Sequence, residues 1–210
     1  MIPGDVLAIF VMASVALALA PGPDNIFVLT QAALAGRLAG VLVTLGLCAG
    51  VMVHTVLVAL GVAAIFATSP LAFTVLKLLG AGYLLYLAWG AFRAGAGQVG
   101  AGAAPLSGPA LVLRGVVMNV TNPKVAIFFL AFLPQFADPA RGPVTRQIVL
   151  FGLVFALCAF AIFCAVALAA GSLGAWLRRT PRAQVIINRL AGAVFVGLAL
   201  RLLVVERGTS

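Results

Sequence analysis

The amino-acid sequence predicts an all-α membrane protein of about six transmembrane helices, built as two inverted three-helix repeats, with helices 1 and 4 broken at Pro-containing motifs. Three observations carry this expectation. The apolar set AVILMFWYC makes up 64% of the 210 residues and charged residues only 8%. With the 23 glycines added, the apolar share reaches about three quarters, against roughly 45–50% for a soluble domain on the same count, where charges are about 25%. So few charges cannot cover a soluble surface, which excludes a disordered chain, a coiled coil and a basic nucleic-acid-binding domain. Six segments are long and apolar enough for the roughly 20 residues a spanning helix needs. Finally, one connection alone is long, and it divides the chain three and three.

The segments run over about 5–35, 39–66, 70–92, 111–134, 147–170 and 185–205. They are too long and too uniformly apolar for barrel strands, which alternate in runs of about ten. The first ends its opening stretch in Ala18-Leu19-Ala20, which resembles a signal-peptide cleavage site. Its start carries Asp5 and no Lys or Arg, however, and a secretory signal needs a positive start. Residues 5–35 therefore read as a retained first span. The second segment holds His54, the only histidine. It is read two ways, as a proton relay near neutrality or as a neutral side chain bonded across helices. Gly36/Gly40 and Gly46/Gly50 have the GxxxG spacing that allows helices to approach closely, within the chain or in a homodimer. Thr30, Gln31, Thr44 and Thr55 would line a path or join helices. In the third segment Tyr83, Tyr86 and Trp89 gather near the end, where aromatic side chains anchor at headgroup level; Trp176 beside Arg178 reads the same way. Residues 94–110 have the Gly, Ala, Ser and Pro composition of a flexible linker. Residues 1–93 and 111–210 are then the two repeats. Cys48, Cys158 and Cys164 lie in apolar runs with no metal spacing, so no metal or cofactor is expected.

Two interruptions stand out. Pro21-Gly22-Pro23-Asp24-Asn25 lies inside the first apolar run, where prolines break the hydrogen-bond ladder. Freed backbone groups are tolerated at membrane depth only when buried in protein or lining a wet cavity, and a carboxylate there is itself costly. A surface loop would leave residues 26–35 too short to span, which favours a break within the membrane. In the fourth segment Asn119, Thr121, Asn122, Pro123 and Lys124 repeat the device with opposite charge. Lys124 either snorkels to an interface or needs a partner at depth. Asp24 is the one acidic residue away from the termini and the Asp138 connection, and so is that partner by elimination.

The halves are weakly alike. Pro23 and Pro123 are 100 residues apart, and Lys77-Leu78-Leu79-Gly80-Ala81 matches Arg189-Leu190-Ala191-Gly192-Ala193. Units of three spans must be inserted in opposite senses, the inverted-repeat plan of many secondary transporters. Arg37, Arg93, Arg114, Arg178, Arg179 and Arg182 fall on one side; Arg141, Arg146, Arg201 and Arg207 fall on the other. With all six segments spanning, the bias of basic residues toward the cytoplasm puts both termini outside; if the broken first segment does not cross, five spans remain, with the N-terminus inside and the C-terminus outside.

PGPDNIFVLTQAALAGRLAG, a Gly-rich span with His54, KLLGAGYLLYLAWGAFR and NVTNPKVAIFFLAFLPQF follow one another with a spacing that resembles the LysE superfamily, most of all its homoserine/threonine exporter branch. The resemblance covers nearly the whole chain. It implies export of amino acids across the inner membrane by proton exchange, with no enzymatic activity. It marks Gly22, Pro23, Asp24 and Asn25, then Asn119, Asn122, Pro123 and Lys124, with Pro134 and Gln135 as further motif positions. A zwitterionic substrate would place its ammonium on Asp24 and its carboxylate on Lys124 and amides at the start of the following half-helix, with Asn25, Asn119 and Asn122 completing the site. Asp24 and His54 would carry protons. Residues 151–170 contain no acidic residue, unlike many relatives, which argues against dibasic substrates. The competing readings are a membrane-embedded accessory subunit or an intramembrane enzyme. One histidine and four acids without nucleophile or metal spacing weigh against an enzyme.

Overall fold

A computed structural model describes residues 2–20, 22–68, 70–93, 107–170, 172 and 180–204. Pro21, most of the linker, Trp176, Arg178, Arg179 and Arg207 lie outside the described residues. Those described are helical with no strand among them. In chain order the helices are α1 (Gly4–Leu19), α2 (Pro23–Ala35), α3 (Arg37–Thr68), α4 (Pro70–Arg93), α5 (Gly108–Val120), α6 (Pro123–Ile127), α7 (Val144–Leu168) and α8 (Pro181–Val204). A π-helical turn at Phe128–Phe132 and a 3₁₀ turn at Leu133–Phe136 continue α6. The helices match the six segments read from the sequence, with ends shifted by up to four residues. Gly108, Pro109 and Ala110, read as the end of the linker, form the first turn of α5, where proline is tolerated because its missing N–H has no helical partner there. Likewise α7 starts at Val144, just after Pro143, three residues before the expected start at 147.

Among the described residues, α3 and α7 are long and apolar enough to cross a membrane. The pairs α1–α2 and α5–α6 reach that length only as bent units, bent by 59° and 53°. The outer surface agrees with a lipid environment. Leu38, Leu60, Leu71, Leu113, Leu157 and Leu190 are all well exposed, as side chains that face lipid would be.

The long helix α3 is the centre of the bundle, packing on α5, α7 and α2, while α4 packs on α8 and α1 on α7. Glycine permits these approaches. A Cβ on Gly46 would collide with the main-chain oxygen of Val112, one on Gly115 would lie 2.5 Å from that of Val43, and one on Gly152 would collide with Thr55. Gly40 faces Ala32 and Ala167, and Gly50 faces Asn119. The GxxxG glycines of α3 thus serve packing within the chain. Gly36 differs: its φ of 90° makes the turn between α2 and α3, and a Cβ there would meet nothing.

Beside this small-residue seam lies an aromatic cluster. Phe10, Phe128, Phe132, Phe136 and Phe151 stack with ring centroids 4.7–6.5 Å apart, and Phe129 meets Phe155 edge-on at 5.0 Å. It seats the end of the fourth segment against α1 and α7. Tyr86 and Trp89 are exposed near the end of α4, and the Arg93 guanidinium lies 4.4 Å from the Trp89 ring centroid, as membrane anchors would. Thr44 and Thr55 bond the carbonyls of Gly40 and Val51, one turn back on their own helix, so neither hydroxyl joins two helices.

Because Gly46 meets backbone rather than a movable side chain, Gly46→Ala is expected to cost about 1–3 kcal/mol, as overpacking does. Gly82→Ala, where a Cβ meets nothing inside a helix, is expected to cost nothing and to stabilise by up to about 1 kcal/mol. Thermal unfolding of the detergent-purified variants checks both.

Candidate functional site

The two interrupted segments meet. At the first break α1 ends at Leu19, Gly22 is extended, and Pro23 opens α2. A helix end leaves its last carbonyls without partners, and in an apolar interior each costs several kcal/mol. Three are satisfied by side chains. Asn25 Nδ2 donates to the Ala18 carbonyl at 2.7 Å. Lys124 Nζ, from the opposite half of the chain, donates to Leu17 at 3.1 Å and Ala20 at 2.9 Å. The cation thereby sits at the negative end of the α1 dipole. Gly22 makes room for it, since a Cβ there would lie 3.1 Å from Nζ.

At the second break α5 ends at Val120, Asn122 caps α6, and Pro123 takes its first position. Asn122 Oδ1 accepts from the Lys124 amide at 3.0 Å, and the Asn122 carbonyl accepts from Val125 and Ala126. The amides at the start of this half-helix, expected to face a substrate carboxylate, are therefore occupied in this state. His54, from the first half, points its Nε2 at the Asn119 carbonyl at 3.2 Å. A carbonyl only accepts, so Nε2 carries the hydrogen. The His54 ring also lies 5.9 Å from that of Phe129. Each break is thus capped by a side chain from the other half of the chain.

Asp24 lies in the first turn of α2, where the helix dipole favours an anion, and is buried. Asn119 Nδ2 donates to its Oδ2 at 3.2 Å. Its Oδ1 is buried with no partner, as are Asn25 Oδ1, Asn119 Oδ1 and Asn122 Nδ2. Gly50 positions Asn119: a Cβ there would stand 2.7 Å from the Asn119 Cβ.

The sequence brought Asp24 and Lys124 together as partners. Both line one cavity, but among the described residues the only ion pair is the exposed Arg141–Asp138 contact. Lys124 spends its hydrogen bonds on carbonyls instead. Exchanging the two charges would not rebuild this arrangement, because an aspartate at 124 would offer acceptors to acceptors. His54 and Asp24 share Asn119 without touching each other, through its carbonyl and its side-chain amide respectively.

The cavity has room for about one water, so the site is largely filled by its own side chains. Its walls are Leu17, Ala18, Asp24, Leu47, Val51, Asn119, Lys124, Val125, Phe155, Ala159 and Phe163. Sequence reasoning read Gly50 as a glycine of close helix approach, without placing it at the site, and missed the α7 wall. Phe155, Ala159 and Phe163 recur every four residues, one helix face, and that period was the available signal. Asn25 and Asn122 support the breaks without lining the cavity. Thr30 and Gln31 are buried on α2 beyond Asp24, with side-chain atoms lacking partners. Gln135 is likewise unpartnered and stands apart from the cavity. The cysteines are free, and no cluster that could hold a metal occurs among the described residues.

Fold and site together define a helical bundle with a lipid-compatible surface around a small buried polar centre, made where two broken helices meet. The chain belongs to the LysE type translocator family, whose pattern it matches over residues 15–206. It is 34% identical over 194 residues to an uncharacterized membrane protein of Vibrio cholerae, covering 92% of this chain and 94% of that one. It is 31% identical over 188 residues to the homoserine/homoserine lactone efflux protein of Salmonella typhimurium, covering 89% and 90%. It is also 31% identical over 198 residues to the leucine efflux protein of Klebsiella pneumoniae, covering 92% of each. No solved structure matches the chain significantly.

Replacing Lys124 by methionine keeps the length of the side chain and removes its donors. It should orphan the Leu17 and Ala20 carbonyls at about 1–3 kcal/mol each. Arg141→Met, which breaks an exposed ion pair, should cost no more than about 1 kcal/mol. Thermal unfolding in detergent separates the two.

Proposed function

We propose that this chain is a secondary transporter of the inner membrane that exports zwitterionic amino acids in exchange for protons. The observation that carries the reading is the pairing of opposite charges on one small cavity without an ion pair between them. Asp24 keeps one oxygen free for an ammonium. Lys124 holds only main-chain carbonyls, which a substrate carboxylate would outcompete because hydrogen bonds between charged groups are the stronger ones. The free Nδ2 of Asn122 and Oδ1 of Asn119 are at hand as the site rearranges. Once Lys124 leaves, the α1 carbonyls need new partners, so binding and a change at the helix break are linked. Asp24, with a free oxygen in a dry site, is the candidate proton carrier. The names of the Salmonella and Klebsiella relatives support amino-acid efflux. An enzyme reading finds no support in the geometry, since His54 bonds a main-chain carbonyl and not a nucleophile.

The architecture in this reading is six spans in two inverted repeats, residues 1–93 and 111–210 around the linker 94–110. Two broken segments of like design support it. So does the mutual packing of α3 with α7 and of α4 with α8, the pairs that such a two-fold relation would exchange. With six spans, the distribution of basic residues places both termini outside, and a C-terminal reporter active only in the periplasm is the expected result.

Asp24→Asn keeps an acceptor for Asn119 and should fold. Efflux from proteoliposomes under a pH gradient should fall at least about tenfold, the scale of one charged hydrogen bond. Full flux with unaltered dependence on the gradient would remove Asp24 from the mechanism.

A further inference from the structure

Resting on the reading of Asp24 and Lys124 as a zwitterion site, we infer that the site selects amino acids with apolar side chains, and that Ala159 sets the size it accepts. The cavity has three polar walls, Asp24, Asn119 and Lys124. A bound amino acid engages them with its ammonium, at Asp24 Oδ1 and Asn119 Oδ1, and with its carboxylate, at Lys124, so none remains for its side chain. What faces the side chain is hydrocarbon: Leu47 and Val51 from α3, and Phe155, Ala159 and Phe163 from α7. All five are buried. The hydroxyls that flank this stretch of α3, those of Thr44 and Thr55, are turned to the carbonyls of Gly40 and Val51 on their own helix. A substrate hydroxyl placed in this pocket would lose its water and find no replacement, and a charged side chain would fare worse.

Size follows from the same wall. Ala159 sits midway between two phenylalanines one turn away on either side, so it forms the notch between their rings. The notch is where a branched aliphatic side chain gains room when the small cavity widens around substrate. A larger residue at 159 fills it from the α7 side without touching Asp24, Asn119 or Lys124 chemically.

Valine and threonine give the direct test, because they have nearly the same shape and differ by one hydroxyl. Proteoliposomes are loaded with equimolar valine, threonine, leucine and alanine, and efflux is followed for the wild-type protein, Ala159→Val and Asp24→Asn. The wild type is expected to export valine about ten- to a hundredfold faster than threonine, the range by which an apolar pocket rejects a hydroxylated isostere. Ala159→Val is expected to lower the leucine-to-alanine ratio at least about tenfold. Both readouts are ratios within one vesicle population, so a lower yield of folded variant cancels. Threonine leaving as fast as valine, or an unchanged leucine-to-alanine ratio in Ala159→Val, overturns the inference. If Asp24→Asn abolishes all efflux in that case, the zwitterion site stands and only its selectivity has been misread. Undiminished efflux from Asp24→Asn overturns the site itself.

Discussion

Main-chain carbonyls left without partners inside an apolar bundle are the constraint on which the rest of this structure depends. Proline at positions 23 and 123 ends two helices where no water can satisfy the freed groups. Each break therefore needs donors, and the donors come from across the chain. Lys124 of the second half caps α1, and His54 of the first half meets the end of α5. Asn119 adds a third cross-link by bonding Asp24. Each of these bonds runs from one half of the chain to the other, so the breaks hold the halves together as well as shaping the site.

This arrangement explains why the small-residue seam lies where it does. Gly46 against Val112, Gly115 against Val43 and Gly50 against Asn119 bring α3 and α5 together along their length. Only at that separation can His54 reach the Asn119 carbonyl while the Asn119 amide reaches Asp24. On the other side, Phe128, Phe132 and Phe136 stack on Phe10 and Phe151 and hold the segment after Pro123 against α1. Lys124 is therefore delivered to the α1 terminus by rigid packing, not by the reach of a flexible side chain alone.

Much of this was legible in the sequence. Proline within an apolar run admits few explanations, and that property located both breaks and singled out Asp24 and Lys124. What escaped were partners that leave no mark on side-chain identity. Lys124 was matched to Asp24 because a search by charge finds carboxylates and cannot see the carbonyls of Leu17 and Ala20. The GxxxG glycines were open to a dimer or an internal role because spacing does not say which helix arrives; Gly115 and Asn119 decide it for α3. Phe155, Ala159 and Phe163 look like ordinary core residues until the cavity beside them is seen. The π-helical turn at Phe128–Phe132 carries no local signature in an otherwise helical run.

The central claim is that one cavity holds both ends of an amino acid, the ammonium at Asp24 and the carboxylate at Lys124. Titration calorimetry on the purified wild-type protein tests it with three ligands: leucine, its decarboxylated amine 3-methylbutylamine, and its deaminated acid 4-methylpentanoate. Leucine is expected to bind and neither fragment to do so measurably, separately or mixed, because each leaves one charged wall without its partner. Either fragment binding as tightly as leucine would contradict it.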